Sequence, residues 1–131
     1  MKIAITGGAG YIGCRLIEQL LKEEHEIICI DWLRWGIEPI LNIIDNPRFE
    51  LYNVDICKPE VEPLLRQADA VIHLAGIVGY PACNKEPDTA YTVNVEGTKR
   101  VVDASSDKKF VYASTGSVYG ELETICTEES T

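Results

Sequence analysis

The sequence predicts an α/β protein on a parallel, doubly wound sheet of about five strands in the order 3-2-1-4-5. Three features carry this prediction. Short apolar runs alternate with helical patterns from residue 2 to residue 113. The runs are continuously apolar, as strands covered on both faces are. A glycine cluster closes the first run where the first helical pattern begins.

Taken in order, Lys2 to Thr6 is a strand that ends in Gly7-Gly8-Ala9-Gly10. Ile12, Leu16, Ile17, Leu20 and Leu21 then form one stripe of a 3.6-residue helix. Ile27 to Ile30 is the second strand and closes at Asp31. Trp32, Trp35, Gly36, Pro39 and Pro47 bracket a short helix around Ile40 to Ile44. Phe49 to Val54 is the third strand, ending at Asp55, and Pro59 opens a short helix through Leu64 and Leu65. Ala70 to Leu74 is the fourth strand, interrupted by Ala75-Gly76. Gly79, Pro81, Asn84 and Pro87 make Ile77 to Pro87 a loop. Asp88 to about Ser105 is helical, with Ala90, Val93, Gly97, Val101 and Ala104 on one face. Lys109 to Ala113 is the fifth strand, followed by Ser114-Thr115-Gly116-Ser117 and an acidic tail from Glu121. There is no repeat or linker, so residues 1–131 form one domain. Right-handed crossovers then bring the glycine turn and the strand ends near 31, 55, 75 and 114 to one carboxyl edge.

The 131 residues are 46% hydrophobic, enough for a core, and carry a net charge of −9. That charge argues against a phosphate-tracking nucleic-acid surface and against a basic membrane patch. The first turn glycines arrive too early for a signal-peptide core, and no run approaches a membrane span. Cys14, Cys29, Cys57, Cys83 and Cys126 are odd in number, scattered and without a Cys-x-x-Cys pair. We therefore expect reduced thiols, a cytoplasmic location and no metal site.

Gly7, Gly10 and Gly13 stand three apart between a strand and a helix, and Gly8, Gly10 and Gly13 satisfy Gly-x-Gly-x-x-Gly as well. Such a turn lets backbone amides at a helix N-terminus hold a diphosphate without a lysine. Asp31, 24 residues past Gly7, is placed to accept hydrogen bonds from a ribose diol. Its charge would repel a 2′-phosphate, which favours NAD over NADP, although Arg34 nearby blurs the preference. Cys14 and Arg15 stand where a P-loop needs lysine and a hydroxyl, so nucleotide hydrolysis is disfavoured.

At this point the chain resembles the extended short-chain dehydrogenase/reductase family of Rossmann-type, NAD-dependent nucleotide-sugar epimerases and dehydratases. Thr6-Gly7-Gly8-Ala9-Gly10-Tyr11-Ile12-Gly13 is similar to that family's opening fingerprint. The resemblance implies cofactor contacts at Gly7, Gly10, Tyr11, Ile12 and Gly13. Asp55-Ile56 resembles the adenine-contacting pair, and His73-Leu74-Ala75-Gly76 the segment beside the cofactor. Asn94 in Asn94-Val95-Glu96-Gly97-Thr98 resembles the mid-helix asparagine near the active site. Ser114-Thr115-Gly116-Ser117-Val118-Tyr119-Gly120 is similar to the strand-five segment, which implies a catalytic hydroxyl at Thr115 with Ser114 beside it. His73 itself reads as a packed strand residue.

The family's acid/base pair is a tyrosine with a lysine four residues on. No tyrosine in this chain has a lysine at that spacing. The resemblance therefore implies an N-terminal, cofactor-binding portion that stops before the sixth strand and the substrate lobe, inactive alone. It implies a nucleotide-sugar substrate for the complete enzyme. An uncovered fifth strand implies a homo-oligomer or a complementing C-terminal half. A non-catalytic NAD-binding or partner-recruiting module and one half of a split enzyme are the alternatives.

Overall fold

Apolar runs pair side by side as parallel strands: β1 (Lys2–Thr6), β2 (Glu26–Asp31), β3 (Phe49–Asn53), β4 (Ala70–His73) and β5 (Lys109–Tyr112). The structure is a computed structural model that describes residues 1–120 and 125–128. The five strands form one sheet in the order β3-β2-β1-β4-β5, as expected. Thr6 stands opposite both Ile30 of β2 and His73 of β4, so these three strands finish level at their carboxyl ends.

Alternate residues of each strand serve opposite faces. Ala4, Ile28, Ile30 and Val71 pack with Val61, Leu65, Ala90 and Val101 on one side. Ile3, Ile5, Ile27 and Cys29 pack with Ile17, Leu21, Ile40 and Phe49 on the other. Helix α1 (Tyr11–Lys22) covers the second face, whereas α2 (Val61–Arg66), α4 (Pro87–Tyr91) and α5 (Thr98–Ala104) cover the first. Both faces are thus wound, which is why the strands need no polar alternation.

Several elements differ from expectation. Ile12 is 64% exposed, and the buried stripe of α1 is Gly13, Cys14, Ile17 and Leu21. Small residues at 13 and 14 turn that side of the helix onto the glycine turn, leaving Ile12 outside. The segment 77–87, expected as a loop, contains α3 (Tyr80–Lys85), which begins after Gly79 at φ 87° and has Pro81 in its first turn. The expected helix from Asp88 to about Ser105 forms without a break over 87–104, but as α4, a π-helical turn over Thr92–Gly97, and α5. Around Ile40 there is a single 3₁₀ turn, Glu38–Ile40. Most of the acidic tail from Glu121 lies outside the described residues; 125–128 are irregular and exposed. Among the described residues no helix is long and apolar enough to cross a membrane.

Candidate functional site: a glycine turn and two strand ends

The turn after β1 is held by contacts that exclude side chains. Gly7 has φ 73°, and a Cβ there would stand 2.7 Å from the Ala75 amide nitrogen. A Cβ on Gly13 would stand 2.5 Å from the Gly7 carbonyl oxygen, so α1 starts pressed against the turn. Gly10 differs: its backbone is extended (φ −77°, ψ 176°), and within 4 Å a Cβ would meet only Gly7 O, at 3.2 Å. Its outer side faces open space. Among the described residues no side chain caps α1 and no acid stands in its first turn. The first amides of a helix lack intrahelical acceptors, and the macrodipole makes that end positive. A cradle that glycines keep clear, ending in uncapped amides, fits a pyrophosphate.

The Asp31 carboxylate ties this turn to the segment after β2. Its Oδ2 accepts from the Ala9 amide at 3.0 Å and its Oδ1 from the Leu33 amide at 2.8 Å. Each oxygen keeps a lone pair for a further donor such as a ribose hydroxyl. Asp55 Oδ1 accepts from the Cys57 amide at 2.9 Å and shapes the end of β3. The Ile56 side chain is buried against Gly97, so any ligand contact at Ile56 runs through its main chain.

Beyond β4 and β5 lies a hollow of about 270 Å³. Its lining brings together Leu74, Ala75, Gly76, Asn94, Ser114 and Thr115, six residues that the sequence singled out. The Asn94 amide engages one residue through both its oxygen and its nitrogen. It accepts from the Ile77 amide and donates to the Ile77 carbonyl, both at 2.8 Å, which holds the post-β4 segment in place. Its chain position is a π-helical turn, a device frequent at functional sites. Thr115 Oγ1 accepts from the Ser117 amide at 3.2 Å, so its own proton remains for another acceptor. Ser114 is exposed at the rim.

Beneath the hollow, His73 is fully buried between two threonines. Its Nδ1 is hydrogen-bonded to Thr6 Oγ1 at 2.5 Å and its Nε2 to Thr98 Oγ1 at 2.9 Å, joining β1, β4 and α5. Burial pushes its pKa down to about 4, so the ring is neutral at pH 7. This is the packed strand residue expected from the sequence. Burial also drives the Cys29 thiol up to about 12 and that of Cys57 to about 11, which keeps both protonated. A charged cleft between α2 and α5 is occupied by ion pairs of Glu62 with Arg66 and Arg100, far in character from a ligand site.

A family model described as the NAD dependent epimerase/dehydratase family matches residues 3–131. This chain belongs to that family. Its members include proteins that act on sugars linked to nucleotides. UDP-glucose 4-epimerase of Mycolicibacterium smegmatis is 32% identical over 136 residues, covering 98% of this chain and 44% of that relative. UDP-glucuronic acid decarboxylase 1 of Arabidopsis thaliana is 33% identical over 124 residues, covering 92% of this chain and 28% of the relative. The chain thus spans less than half the length of these two relatives. Among solved structures, UDP-glucuronic acid 4-epimerase from Bacillus cereus, in complex with UDP-glucuronic acid and NAD, superposes with a TM-score of 0.91 at 32% identity. That likeness covers 100% of this chain and 45% of the epimerase.

Sequence reasoning missed the partners that hold the site. Thr6 and Thr98, which flank His73, lie within two of the motifs above, but nothing in residue order marks them as its partners, because hydroxyls are common at strand ends and on helices. Thr98, Tyr112 and Ser117 also line the hollow. Helix α3 had one legible signal, the Gly79-Tyr80-Pro81 start.

Proposed function

We propose that this chain is the NAD-binding portion of an enzyme that oxidises and re-reduces a sugar carbon of a nucleotide sugar. NAD, when bound, supplies the acceptor and donor of hydride. The observation that carries the reading is the bridge from Asp31 to the Ala9 amide. It sets the acid that would bind the adenosine ribose against the turn that would hold the pyrophosphate. Gly7, Gly10, Tyr11, Ile12 and Gly13 form the cradle, and Asp55 with the Ile56 main chain faces the adenine. Leu74, Ala75, Gly76, Asn94 and Ser114 border the nicotinamide end. The Thr115 hydroxyl donates a hydrogen bond to the reacting sugar oxygen and orients it. The proton-transferring tyrosine and its lysine are not among these 131 residues. The isolated chain therefore binds NAD without turning over nucleotide sugars. Among the described residues the outer edge of β5 is unpaired, which supports association with a second copy or with a complementing segment.

Calorimetric titration with NAD tests the cradle. Gly10→Ala leaves a folded chain, since its Cβ meets one atom, but puts a methyl where phosphates approach; affinity should fall roughly tenfold. Equal affinity in both chains, or robust sugar turnover by the unaltered chain, overturns the reading.

A further inference from the structure

One ion pair at this edge has no part in the reading above. Arg34 stands three residues beyond Asp31, in the segment after β2, and its Nη2 donates to Glu86 Oε1. Glu86 lies between α3 and α4, in the segment after β4. Since β2 and β4 flank β1, the pair links the segments that follow the strands on either side of β1. The guanidinium also stacks near two indoles, with Cζ 5.4 Å from the Trp32 ring and 5.3 Å from that of Trp35. Arg34 is thus held in one place, its charge matched and part of its donor fork occupied. The hydrogen bond and charge of Arg34 hold the Glu86 carboxyl below its usual range, so the pair stays ionic at neutral pH.

By sequence, Arg34 is the residue that would compromise the exclusion of a 2′-phosphate by Asp31. We propose that Glu86 is a specificity-determining residue: by engaging Arg34 it withholds that guanidinium from a 2′-phosphate and makes the site select NAD over NADP. The inference rests on the NAD reading above. It assigns to a position 52 residues from Arg34 a role that Asp31 otherwise performs alone.

The test is to titrate NAD and NADP into the full chain by calorimetry, with fluorescence of Trp32 and Trp35, its two tryptophans, as the local readout. Glu86→Gln and Glu86→Ala should each raise NADP affinity relative to NAD by roughly tenfold, the size of one charge-assisted contact. Adding Arg34→Ala to either variant should remove the gain. A ratio unmoved in both variants, or a gain that persists without Arg34, overturns the inference while leaving NAD binding intact. An unaltered chain that binds neither dinucleotide overturns this inference and the NAD reading together.

Discussion

His73 is a histidine whose neutral form the fold requires. Its two nitrogens meet Thr6 and Thr98, and no carboxylate stands among its hydrogen-bond partners to support a positive ring. The folded pKa of about 4 lies below the unfolded value of 6.5. As pH falls, the unfolded chain therefore takes up the proton first. The stability held by the neutral ring is complete above pH 6.5 and is lost between about 6.5 and 4. By pH 4.5 the loss is on the order of 2 to 3 kcal/mol. Urea unfolding at pH 7.5 and pH 4.5 measures it: the unaltered chain should lose that much more than His73→Gln, and equal losses would deny the histidine this role. The residue scale also separates the glycines. Gly7 and Gly13 are required by main-chain contact, whereas a Cβ on Gly10 would meet only the Gly7 carbonyl oxygen, at 3.2 Å, so its proposed role is toward the ligand.

At the scale of elements, helix ends and interruptions answer to contacts more than to propensity. Helix α1 ends in a Schellman arrangement, with His25 N bonded to Leu20 O and Glu24 N to Leu21 O, and Glu24 takes the left-handed conformation at φ 65°. No glycine announces that end, so the sequence could place it only by the loss of apolar periodicity. The π-helical turn over Thr92–Gly97 arises where Asn94 reaches the Ile77 backbone and Gly97 admits Ile56 to within what would be 2.8 Å of a Cβ. Asn94→Ala would leave the Ile77 amide and carbonyl without this partner. The Ile77 carbonyl keeps the Cys83 thiol as a donor, so the expected cost is about 1 to 3 kcal/mol, that of the amide's lost partner. Chemical denaturation reads it, and a loss under about 0.5 kcal/mol, the range of neutral surface changes, would show that the segment after β4 is held by other means.

Across the whole molecule, the sheet is covered on both faces at β1 and β2 and left bare at β5. Val111 and Tyr112, on opposite faces of β5, are 58% and 53% exposed, and among the described residues β5 pairs with β4 alone. Unpaired strand edges recruit other strands, and lysine on an edge is a common deterrent. The unaltered chain should gain apparent mass with concentration in light scattering, despite a net charge of −9. Val111→Lys should hold it closer to the monomer. Identical masses for both chains at every concentration would remove β5 from any role in association.

The strand order, the glycine turn and the acid at the end of β2 were legible in residue order because each rests on a local rule. Apolar runs mark covered strands, glycines mark backbone that admits no side chain, and right-handed crossovers leave few ways to connect them. Asp31 followed from its place at the end of the second apolar run, whereas Asp55 and Thr115 were singled out by the resemblance of their segments to the family's motifs. The rest came from approach between distant positions. His73 meets Thr6 across 67 residues, Arg34 meets Glu86 across 52, and Asn94 meets Ile77 across 17. Hydrogen bonds between such pairs leave no periodic trace, because periodicity records which face a residue presents and not which atom it finds there. Tertiary packing alone decided that Asn94 braces the post-β4 chain and that Arg34 is already engaged.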